Sequence, residues 1–524
     1  GTPPRRPGGR DRKRRDRSAA GSAQSEDGVS SSMSDGLKAA RTALSDRPAW
    51  LVGGAIRDRE LGRATADVDI VVDGDPAEAA RAIAGAAGRA ACFALSEEFG
   101  AWRVSARDSS WQVDVEALRG GSLRADLALR DFTVNAIAEP IAGGAPIDPL
   151  GGLEDLAAGR LRMAGPAAFA EDPLRVLRLV RVAVELSLEP EADTLAAARS
   201  HTDGLARCSP ERVFVELRRI IAAEQALRGL QLLSELGAMA VVLPELEALR
   251  GVEQNRFHHA DVHGHTLEVL ERTIELDAFA TGASTSSGDG SPIESERARL
   301  DSVLGGHRKA VGRFLCEPLA DDLTRAEALR WGALLHDAAK PLTRGVGPID
   351  GRVTFIGHDE RGAALARDVL GRLRTSERLR AHVAALVRHH LRLGFLVHEP
   401  QPLARRTVFS YLRATSPVEV DVTLLSIADR LATRGDRAQE AIDAHLDVAK
   451  GMLGDVLGWR EHGPGRPLLR GDELGAQLGI EPGPRIGELL GELAEAQYAG
   501  EIATREQALA YLDAAAKDVS GRSE

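Results

Sequence analysis

Cysteine is scarce and long apolar runs are absent in this chain of 524 residues. The three cysteines, Cys92, Cys208 and Cys316, are scattered and form no CxxC pair. Their spacing fits a reducing cytoplasm and argues against a disulfide scaffold or a thiolate zinc site. No apolar run approaches the roughly 18 residues that a membrane span requires. We therefore expect a cytoplasmic protein without a membrane partner.

The chain has a formal net charge of -11 although it contains 67 lysines and arginines. The global charge does not attract a polyanion, so a nucleic-acid partner would need a local basic face. The length exceeds what one hydrophobic core supports, and we expect about two to four domains.

Composition and periodicity divide the chain into five segments. Residues 1–35 are rich in Arg, Pro, Gly and Ser and are predicted to be a disordered leader. Short strands mixed with helices predict a mixed head over 36–165. Helical periodicity predicts a neck and body over 166–255, a second helical domain over 256–452 and a helical tail over 453–524.

The head contains two carboxylates on a strand behind a glycine turn. Asp67 and Asp69, in DVDIVV, are two residues apart, so a strand places both on one face, where they repel unless a cation lies between them. Mg²⁺ prefers such oxygen ligands and keeps positions open for substrate phosphates. Gly53 and Gly54, in LVGGAIRD, allow the backbone to approach a triphosphate, and Arg57 can pair with its oxygens.

A neighbouring predicted strand, WQVDVEAL, offers Asp114 as a third carboxylate. Together these residues indicate attack of an RNA 3′-hydroxyl on an α-phosphate, with two metal ions at the entering and leaving oxygens. A DxD pair alone is equally typical of two solvated aspartates at a strand end. GGxxRD followed by DxD at this spacing is far more specific.

At these residues the sequence resembles the polymerase-beta-like nucleotidyltransferase superfamily, and further motifs extend the likeness to the class II tRNA nucleotidyltransferases and poly(A) polymerases. The motifs follow one another in the family's order over about residues 50 to 220. They are LRDFTVNAIA (Leu129–Ala138), DPLGGLEDL (Asp148–Leu156), EDPLRVLRLVRVA (Glu171–Ala183) and SPERVFVELRRI (Ser209–Ile220).

The resemblance implies that Asp172 and Arg175 read the incoming base. An acceptor and a donor three residues apart on a helix match the exocyclic amine and ring nitrogen of cytosine and adenine, and reject uracil and guanine. This accounts for selection of CTP and ATP without a template. Asp172 before a proline is also a good helix N-cap, and both roles can hold together. Arg178 and Arg181 continue the helix and either contact phosphate or form a solvated face.

Arg130, Asp131 and Asn135 match the family's ribose- and nucleotide-binding RRDFTxNA motif, except that Leu129 replaces its first arginine. Many full CCA-adding members have a longer flexible segment before this motif. Here only Arg119–Leu129 fills the gap, which resembles members that add two cytidines alone. CC addition therefore stays open beside CCA addition, as does poly(A) synthesis.

A second constellation resembles the HD phosphohydrolase superfamily over about residues 256 to 450. Imidazole and carboxylate ligands on amphipathic helices suit a divalent metal, whose identity the pattern leaves unknown. Single histidines on helices are usually ordinary core or surface residues, but an ordered set is more specific. The set consists of His265, His336, Asp337, His358, His389 and Asp429. Spacing does not decide between His389 and His390.

These resemblances imply an α+β fold, with a small mixed-sheet polymerase-beta-like nucleotidyltransferase head, an all-helical neck and body, a helical HD domain and a helical tail. The expected function is addition of C and A residues from CTP and ATP to the tRNA 3′ end, with Mg²⁺ at Asp67 and Asp69. The HD domain implies accessory phosphatase or phosphodiesterase activity. A protein that is chiefly an HD phosphohydrolase is the remaining alternative, and no obligate protein partner is evident.

Overall fold

The computed structural model describes residues 26–63, 67–88, 90–96, 100–254, 260–283, 293–347, 351–433 and 438–520. The chain forms two compact units, residues 1–168 and 169–524. The predicted α+β class, with one small mixed sheet in the N-terminal unit and helices elsewhere, is confirmed, and 62% of the chain is helical.

The first unit contains a six-stranded sheet with short helices. Its helices are α1 (Glu26–Leu44), α2 (Gly54–Glu60), α3 (Pro76–Ala86), α4 (Leu123–Ala128), α5 (Gly152–Ala157) and α6 (Ala168–Glu171), the last of which begins at the unit's final residue. Its strands are β1 (Ala49–Val52), β2 (Asp67–Val72), β3 (Ala90–Ser96), β4 (Ala101–Ala106), β5 (Gln112–Ala117), β6 (Ala138–Pro140) and β7 (Arg160–Leu161). A 3₁₀ turn covers Thr133–Asn135.

The sheet has the strand order β3-β4-β5-β2-β1-β6. Only the central pair, β2 and β5, is parallel, and the other pairs are antiparallel. Alternating apolar residues of these strands pack against α1 and α3, with Ile70, Val113 and Ile83 fully or almost fully buried. The central strands are thereby held in register by the core, which fixes the polar residues along them.

The N-terminal helix begins inside the segment that we predicted to be disordered. Residues 1–25 of that leader lie outside the described residues, but α1 starts at Glu26, so the prediction does not hold for residues 26–35. Ala40 and Leu44 are completely buried and anchor the end of the helix. Helix formation is cooperative, so the anchored turns allow the backbone to continue as helix toward Glu26.

The second unit is helical apart from five short strands. Its first eleven helices are α7 (Arg175–Leu186), α8 (Ala192–Ser200), α9 (Pro210–Ala222), α10 (Ala226–Glu235), α11 (Ala238–Val242), α12 (Pro244–Glu247), α13 (Val262–Thr281), α14 (Ile293–Leu304), α15 (Arg308–Leu315), α16 (Arg325–Leu335) and α17 (Lys340–Thr343). The others are α18 (His358–Arg372), α19 (Glu377–His389), α20 (Arg392–Phe395), α21 (Arg405–Thr415), α22 (Glu419–Ala432), α23 (Ala438–His462), α24 (Gly471–Leu478), α25 (Pro484–Tyr498) and α26 (Arg505–Ser520). The strands are β8 (Glu189–Pro190), β9 (Pro318–Ala320), β10 (Leu323–Thr324), β11 (Gly345–Val346) and β12 (Val353–Thr354).

Helices α13, α16, α19 and α22 pack together around one large apolar core. Helix α16 is nucleated by a capping box, in which Glu327 Oε2 accepts from Thr324 N at 2.7 Å. Ser376 caps α19 by a single hydrogen bond, in which its Oγ accepts from the amide of Leu379 at 3.2 Å. Residues of the second constellation lie on or beside these helices and α18: His265 is on α13, His336 and Asp337 follow α16, His358 begins α18, His389 ends α19 and Asp429 is on α22. Among the described residues no helix is long and apolar enough to cross a membrane.

Candidate active site and metal centre

The carboxylates of the head lie on the two parallel strands at the centre of the sheet. Asp67 is the first residue of β2, and Asp69 pairs in register with Asp114 of β5. Register partners on adjacent strands project to the same face. Asp114 is held by a fork from Arg103, whose Nε and Nη2 donate to the two carboxylate oxygens at 2.7 Å each. Any part that Asp114 plays at a metal ion would compete with this ion pair.

Gly53 brings the backbone close to the carboxylate strand. Its φ of +75° is a conformation that other residues rarely adopt. A Cβ placed there would lie 3.3 Å from Arg130 Nη1, 3.6 Å from the Asn135 carbonyl and 3.8 Å from Asp69 Oδ2. Helix α2 starts immediately afterwards at Gly54. The glycine turn is therefore surrounded by three residues that the sequence motifs had singled out separately.

Arg57 and Asn135 join the glycine turn to the RDFTVNA motif. Arg57 Nη1 donates to Asn135 Oδ1 at 2.5 Å, while its Nε donates to Asp58 at 2.8 Å. Asn135 in turn donates from Nδ2 to Asp131 Oδ1 at 3.0 Å. Gly53 N donates to the carbonyl of Ile137 at 3.0 Å. Residues about 80 positions apart thus form one hydrogen-bonded network beside Asp69.

The short segment Arg119–Leu129 is folded around one buried carboxylate. Asp126 is completely buried, and its Oδ1 accepts from Arg119 N at 3.2 Å and Arg119 Nε at 3.0 Å. Its Oδ2 accepts from Arg130 Nη2 at 3.3 Å. Ser122 Oγ caps α4 by accepting from Ala125 N. The segment is a tight turn and a short helix, with Asp126 linking it to Arg130.

The base-reading candidates lie at the start of α7 in the second unit. Arg175 N donates to the carbonyl of Asp172 at 3.0 Å, so the two residues share the first turn. Asp172 caps only the turn that precedes α7, with Oδ1 accepting from Leu174 N at 3.2 Å. Its Oδ2 accepts from Arg212 Nη2 at 2.6 Å. Both oxygens retain lone pairs for a further donor.

Arg181 does not lie on a solvated face, and its charged group is already committed. Its side chain is buried, with Nε donating to Glu216 at 2.5 Å and Nη1 to Glu185 at 3.0 Å. It joins α7 to α9, so the prediction of nucleotide binding is corrected here to a structural role. The glutamate four residues later was a signal for this pairing. Arg178, on the same helix, is half-buried.

In the second unit, imidazole and carboxylate atoms converge in two adjacent groups whose ligand atoms lie within 4.8 Å of one another in each group. The first group is His265, His336 and Asp429, and the second is Asp337, His358 and His390. His265 Nε2 lies 3.0 Å from Asp429 Oδ1. In the second group, His358 Nε2 lies 3.3 Å from both Asp337 Oδ1 and His390 Nε2. His336 Nε2 links the groups, at 3.1 Å from Asp337 Oδ2.

The chemistry of this cluster fits a divalent cation. Nδ1 of His336, His358 and His390 each lies 2.6–2.8 Å from the backbone carbonyl three residues earlier. These contacts hold the proton on Nδ1 and leave Nε2 facing the cluster as a ligand atom. Nitrogen and oxygen donors of this kind suit divalent transition metals.

The pKa values in the cluster are shifted in both directions: burial opposes a charge on His336, but Asp337 raises its pKa above the usual value. Burial alone would raise the pKa of Asp337, but His336 and Lys340 hold it well below its usual range. Burial and the neighbouring His336 lower the pKa of His390 to about 4, so its imidazole is neutral at pH 7. A neutral imidazole and an ionised carboxylate are the forms in which these groups bind metal.

Of the two adjacent histidines that spacing left open, His390 and not His389 lies in the cluster. His389 faces away from the cluster, with Nδ1 accepting from Arg392 Nε at 2.9 Å, whereas His390 is buried within it. The helical period carried this signal, because Val383, Leu386 and Val387 of α19 are all buried, and position 390 continues their face at i+7, i+4 and i+3.

Lys340 is a cluster residue that the sequence reasoning missed. Its Nζ lies 2.6 Å from Asp337 Oδ2 and donates to Gln254 Oε1 at 2.7 Å. The signal was its position in HDAAKP, three residues after Asp337 and hence one turn away. Its ammonium group adds a fixed positive charge beside the cluster.

Comparison with known proteins places three family models along the chain. A model of the poly(A) polymerase head domain matches residues 49–162. A model described as a probable RNA- and SrmB-binding site of polymerase A matches residues 187–249, and a model of the HD domain matches residues 306–434. The head match contains the carboxylate strand, and the HD match contains the cluster except for His265.

Curated relatives cover almost the whole chain. An A-adding tRNA nucleotidyltransferase of Deinococcus radiodurans is 36% identical over 480 residues, which is 90% of this chain and 96% of that protein. A CC-adding tRNA nucleotidyltransferase of Thermus thermophilus is 33% identical, over 89% of this chain and 93% of that protein. Among solved structures, the Bacillus stearothermophilus CCA-adding enzyme in complex with CTP matches with a TM-score of 0.58 at 21% identity, over 94% of this chain and 99% of that one. This structural likeness shows a shared fold.

Proposed function

This chain belongs to the family of bacterial tRNA nucleotidyltransferases and poly(A) polymerases, and on that premise we propose that it adds C and A residues from CTP and ATP to tRNA 3′ ends. The observation that carries the proposal is the convergence of Gly53, Arg57, Arg130 and Asn135 beside Asp69. A turn of bare backbone, two guanidinium groups and a carboxylate strand are what a nucleoside triphosphate and its metal ions need.

Asp67 and Asp69 would hold the Mg²⁺ ions, and the residues around them would orient the reactants. Bound Mg²⁺ supplies neutralisation of charge at the attacking 3′-oxygen and at the leaving pyrophosphate. Arg57 and Arg130 pair with phosphate oxygens through their planar donors. Asn135, held by Asp131 at 3.0 Å, is oriented to bind the nucleotide through its amide. The products are an RNA one residue longer and pyrophosphate.

Asp172 and Arg175 are proposed to select the base. Asp172 keeps acceptor capacity beside its bonds to Leu174 N and Arg212, and Arg175 is a donor in the same turn. Cytosine and adenine satisfy this pair, whereas a uracil or guanine edge leaves buried groups unpaired at a cost of about 1–3 kcal/mol each. A variant in which the acceptor Asp172 and the donor Arg175 exchange places is therefore expected to discriminate less strongly against UTP and GTP.

Addition of CC alone is the second candidate, and the compact Arg119–Leu129 segment favours it. Asp126 fixes this segment through two arginines, so it cannot act as the longer flexible segment that full CCA-adding members have. The relatives named above add A alone or CC alone, which makes a divided specificity reasonable for this chain as well.

The experiment that tests both candidates sizes the products on three tRNA substrates, which end at the discriminator base, at C, or at CC. Each is incubated with Mg²⁺ and CTP, ATP or both. Addition of three residues to the tRNA that ends at the discriminator base, with both nucleotides present, would support CCA addition. Extension of this tRNA that stops after two residues would support CC addition. Extension only of the CC-ended tRNA by ATP would show A addition, and a long ladder with ATP alone would show poly(A) synthesis. Absence of any extension would refute the transferase proposal.

For the HD domain we propose metal-dependent hydrolysis of a phosphate ester. The two adjacent groups of ligands around His336 and Asp337 carry this proposal, since a cation held there would lower the pKa of a bound water. Release of p-nitrophenol from p-nitrophenyl phosphate and from bis-p-nitrophenyl phosphate, with Mn²⁺, Co²⁺, Ni²⁺ or Mg²⁺, is the assay. The variant His336→Ala should lose hydrolysis and keep tRNA extension, whereas Asp69→Asn should do the opposite. Hydrolysis that persists in His336→Ala would contradict the assignment.

A further inference from the structure

A cavity of about 390 Å³ in the second unit lies apart from the residues assigned so far. Its walls come from α20, α21 and α25, and it is lined by both charged and apolar side chains. The lining residues that matter to the argument are Arg392, Phe395, Arg406, Thr407, Ser410 and Glu495. Its volume falls in the range of about 300–1,000 Å³ that small-molecule sites occupy.

Phe395 makes the cavity unusual for a protein surface. Its side chain is 65% exposed, whereas Leu393 of the same short helix is almost completely buried. A phenylalanine ring left in water forgoes the stabilisation that burial of its apolar surface would contribute. An exposed aromatic beside a cavity is the arrangement on which unpaired bases stack.

Among the charged residues that line the cavity, Arg392 is the cation without a carboxylate partner in the described part of the chain. Arg406 is neutralised, because its Nε and Nη2 donate to Glu501 at 2.7 and 2.6 Å and its Nη1 lies 3.6 Å from Glu495. Arg392 uses only Nε, which donates to His389 Nδ1. In the described part of the chain Arg392 forms no salt bridge, so its terminal nitrogens are available for an anion.

Two hydroxyl groups complete the lining. Thr407 and Ser410 are three residues apart on α21 and therefore share a face. Neither hydroxyl makes a hydrogen bond to any residue within the described ranges. Each can donate to and accept from a ligand. Stacking surface, one free guanidinium group and two free hydroxyls thus face the same space.

We propose that this cavity binds a single nucleotide unit, with its base stacked on Phe395 and its phosphate paired with Arg392. One guanidinium group without a carboxylate partner matches one phosphate group, and the hydroxyls of Thr407 and Ser410 match the polar edges of a base or ribose. The unit is either one unpaired nucleotide of an RNA strand or a free nucleoside monophosphate, because both offer the same chemistry. The site shares no residue with the carboxylate strand or the His/Asp cluster.

Photolabelling with 8-azido-AMP tests the proposal on the full chain. Trypsin releases Leu393–Arg405, which contains Phe395, and Thr407–Arg413, which contains Ser410, so a label at this cavity is separated from a label at the head. We expect the label on one of these two peptides, with an occupancy that saturates. Its dependence on salt should have a slope of about −0.7, as expected for one phosphate contact on a single strand.

Competition distinguishes the two sources of the ligand. Tetra-adenylate that displaces the label at much lower concentration than AMP would identify an RNA strand as the occupant. Equal displacement by AMP would identify a free nucleotide. Either result supports the site.

Three variants and a control decide whether the named residues form it. Phe395→Ala should weaken binding about 5- to 150-fold, the range for base–aromatic stacking, while Phe395→Tyr should retain it. Arg392→Gln should weaken binding at least fivefold and remove the salt dependence; in this variant the peptide to follow is His389–Arg405, because trypsin no longer cleaves after position 392. Arg388→Gln removes an exposed arginine that pairs with Glu360 outside the cavity and should change nothing. Label absent from both peptides, or label unaffected by Arg392→Gln in a variant with parental thermal melting, would overturn the proposal.

Discussion

Replacement of Gly53 by alanine tests whether the glycine turn is part of the transferase site. The φ of +75° at this position suits only glycine, and a non-glycine residue in such a conformation costs about 1–3 kcal/mol. The added Cβ would also lie 3.3 Å from Arg130 Nη1 and 3.8 Å from Asp69 Oδ2. Arg130 would have to shift by a few tenths of an ångström, at the point where it is expected to meet a phosphate.

Gly62 provides a matched control for the backbone strain. It has a φ of +66°, and a Cβ there meets nothing within 4 Å. Gly62→Ala is therefore expected to cost about 1–2 kcal/mol of stability through its left-handed conformation without touching the site. Gly53→Ala should cost a similar amount and should in addition slow nucleotide transfer about 10- to 100-fold, since misplacement of a positioning group by up to 1 Å costs on that order.

The assay pairs urea unfolding with the initial rate of CTP incorporation into a tRNA that lacks its 3′ end. Comparable losses of stability with a rate defect confined to Gly53→Ala are the expected result. A Gly53→Ala protein that transfers at the parental rate would refute the reasoning. Equal rate defects in both variants would show that strain in the turn, and not its closeness to Asp69, is responsible.

Three further results are expected. His390→Ala should reduce the amount of bound Mn²⁺, Co²⁺ and Ni²⁺ at least tenfold, as measured by mass spectrometry after dialysis. His389→Ala should leave the amount of bound metal unchanged. Equal losses in the two variants would contradict the assignment of His390 as the ligand that faces the cluster. Burial and the nearby arginines lower the pKa of His382 to about 3, whereas burial raises the pKa of Asp421, which lies 3.5 Å away, to about 7. The His382 contribution to stability therefore falls by up to about 1.4 kcal/mol for each pH unit below 6.5, and the Asp421 contribution changes in the opposite direction. His382→Gln should remove the first contribution between pH 6.5 and 5 in urea titrations, and a change in the exposed His398 should not. Arg181→Met leaves the buried Glu216 without its partner, while Glu185 keeps Arg219, and should cost about 3–5 kcal/mol of stability. A stable variant with impaired nucleotide binding would restore the nucleotide-binding interpretation.

Much of the head could be predicted because residue spacing within its motifs determines which side chains share a face. A period of two placed Asp67 and Asp69 on a strand, and the resemblance joined them to Asn135 although nearly 70 residues separate the two motifs. The pairing of Asp69 with Asp114 across parallel strands could not be read from spacing, because register depends on how the sheet packs. The two hydrogen bonds from Arg103 to Asp114 could not be predicted from the sequence for the same reason.

The errors arose where burial decides between neighbouring residues. His389 and His390 are adjacent and chemically identical, and only the buried face of α19 distinguishes them. Arg181 carries the charge of a surface residue, yet two glutamates compensate it inside the unit. The helix from Glu26 begins in a segment of Ser and Gly composition because buried residues at its far end anchor it.

The most direct test of the central claim is the rate of CTP addition to a tRNA lacking its 3′ end by the parental protein and by Asp69→Asn. Loss of one oxygen ligand for the metal ions removes several kcal/mol of transition-state stabilisation, so the variant should be slower by on the order of 10³-fold while it binds tRNA with parental affinity. Transfer by Asp69→Asn at the parental rate would contradict the assignment of this strand as the transferase site.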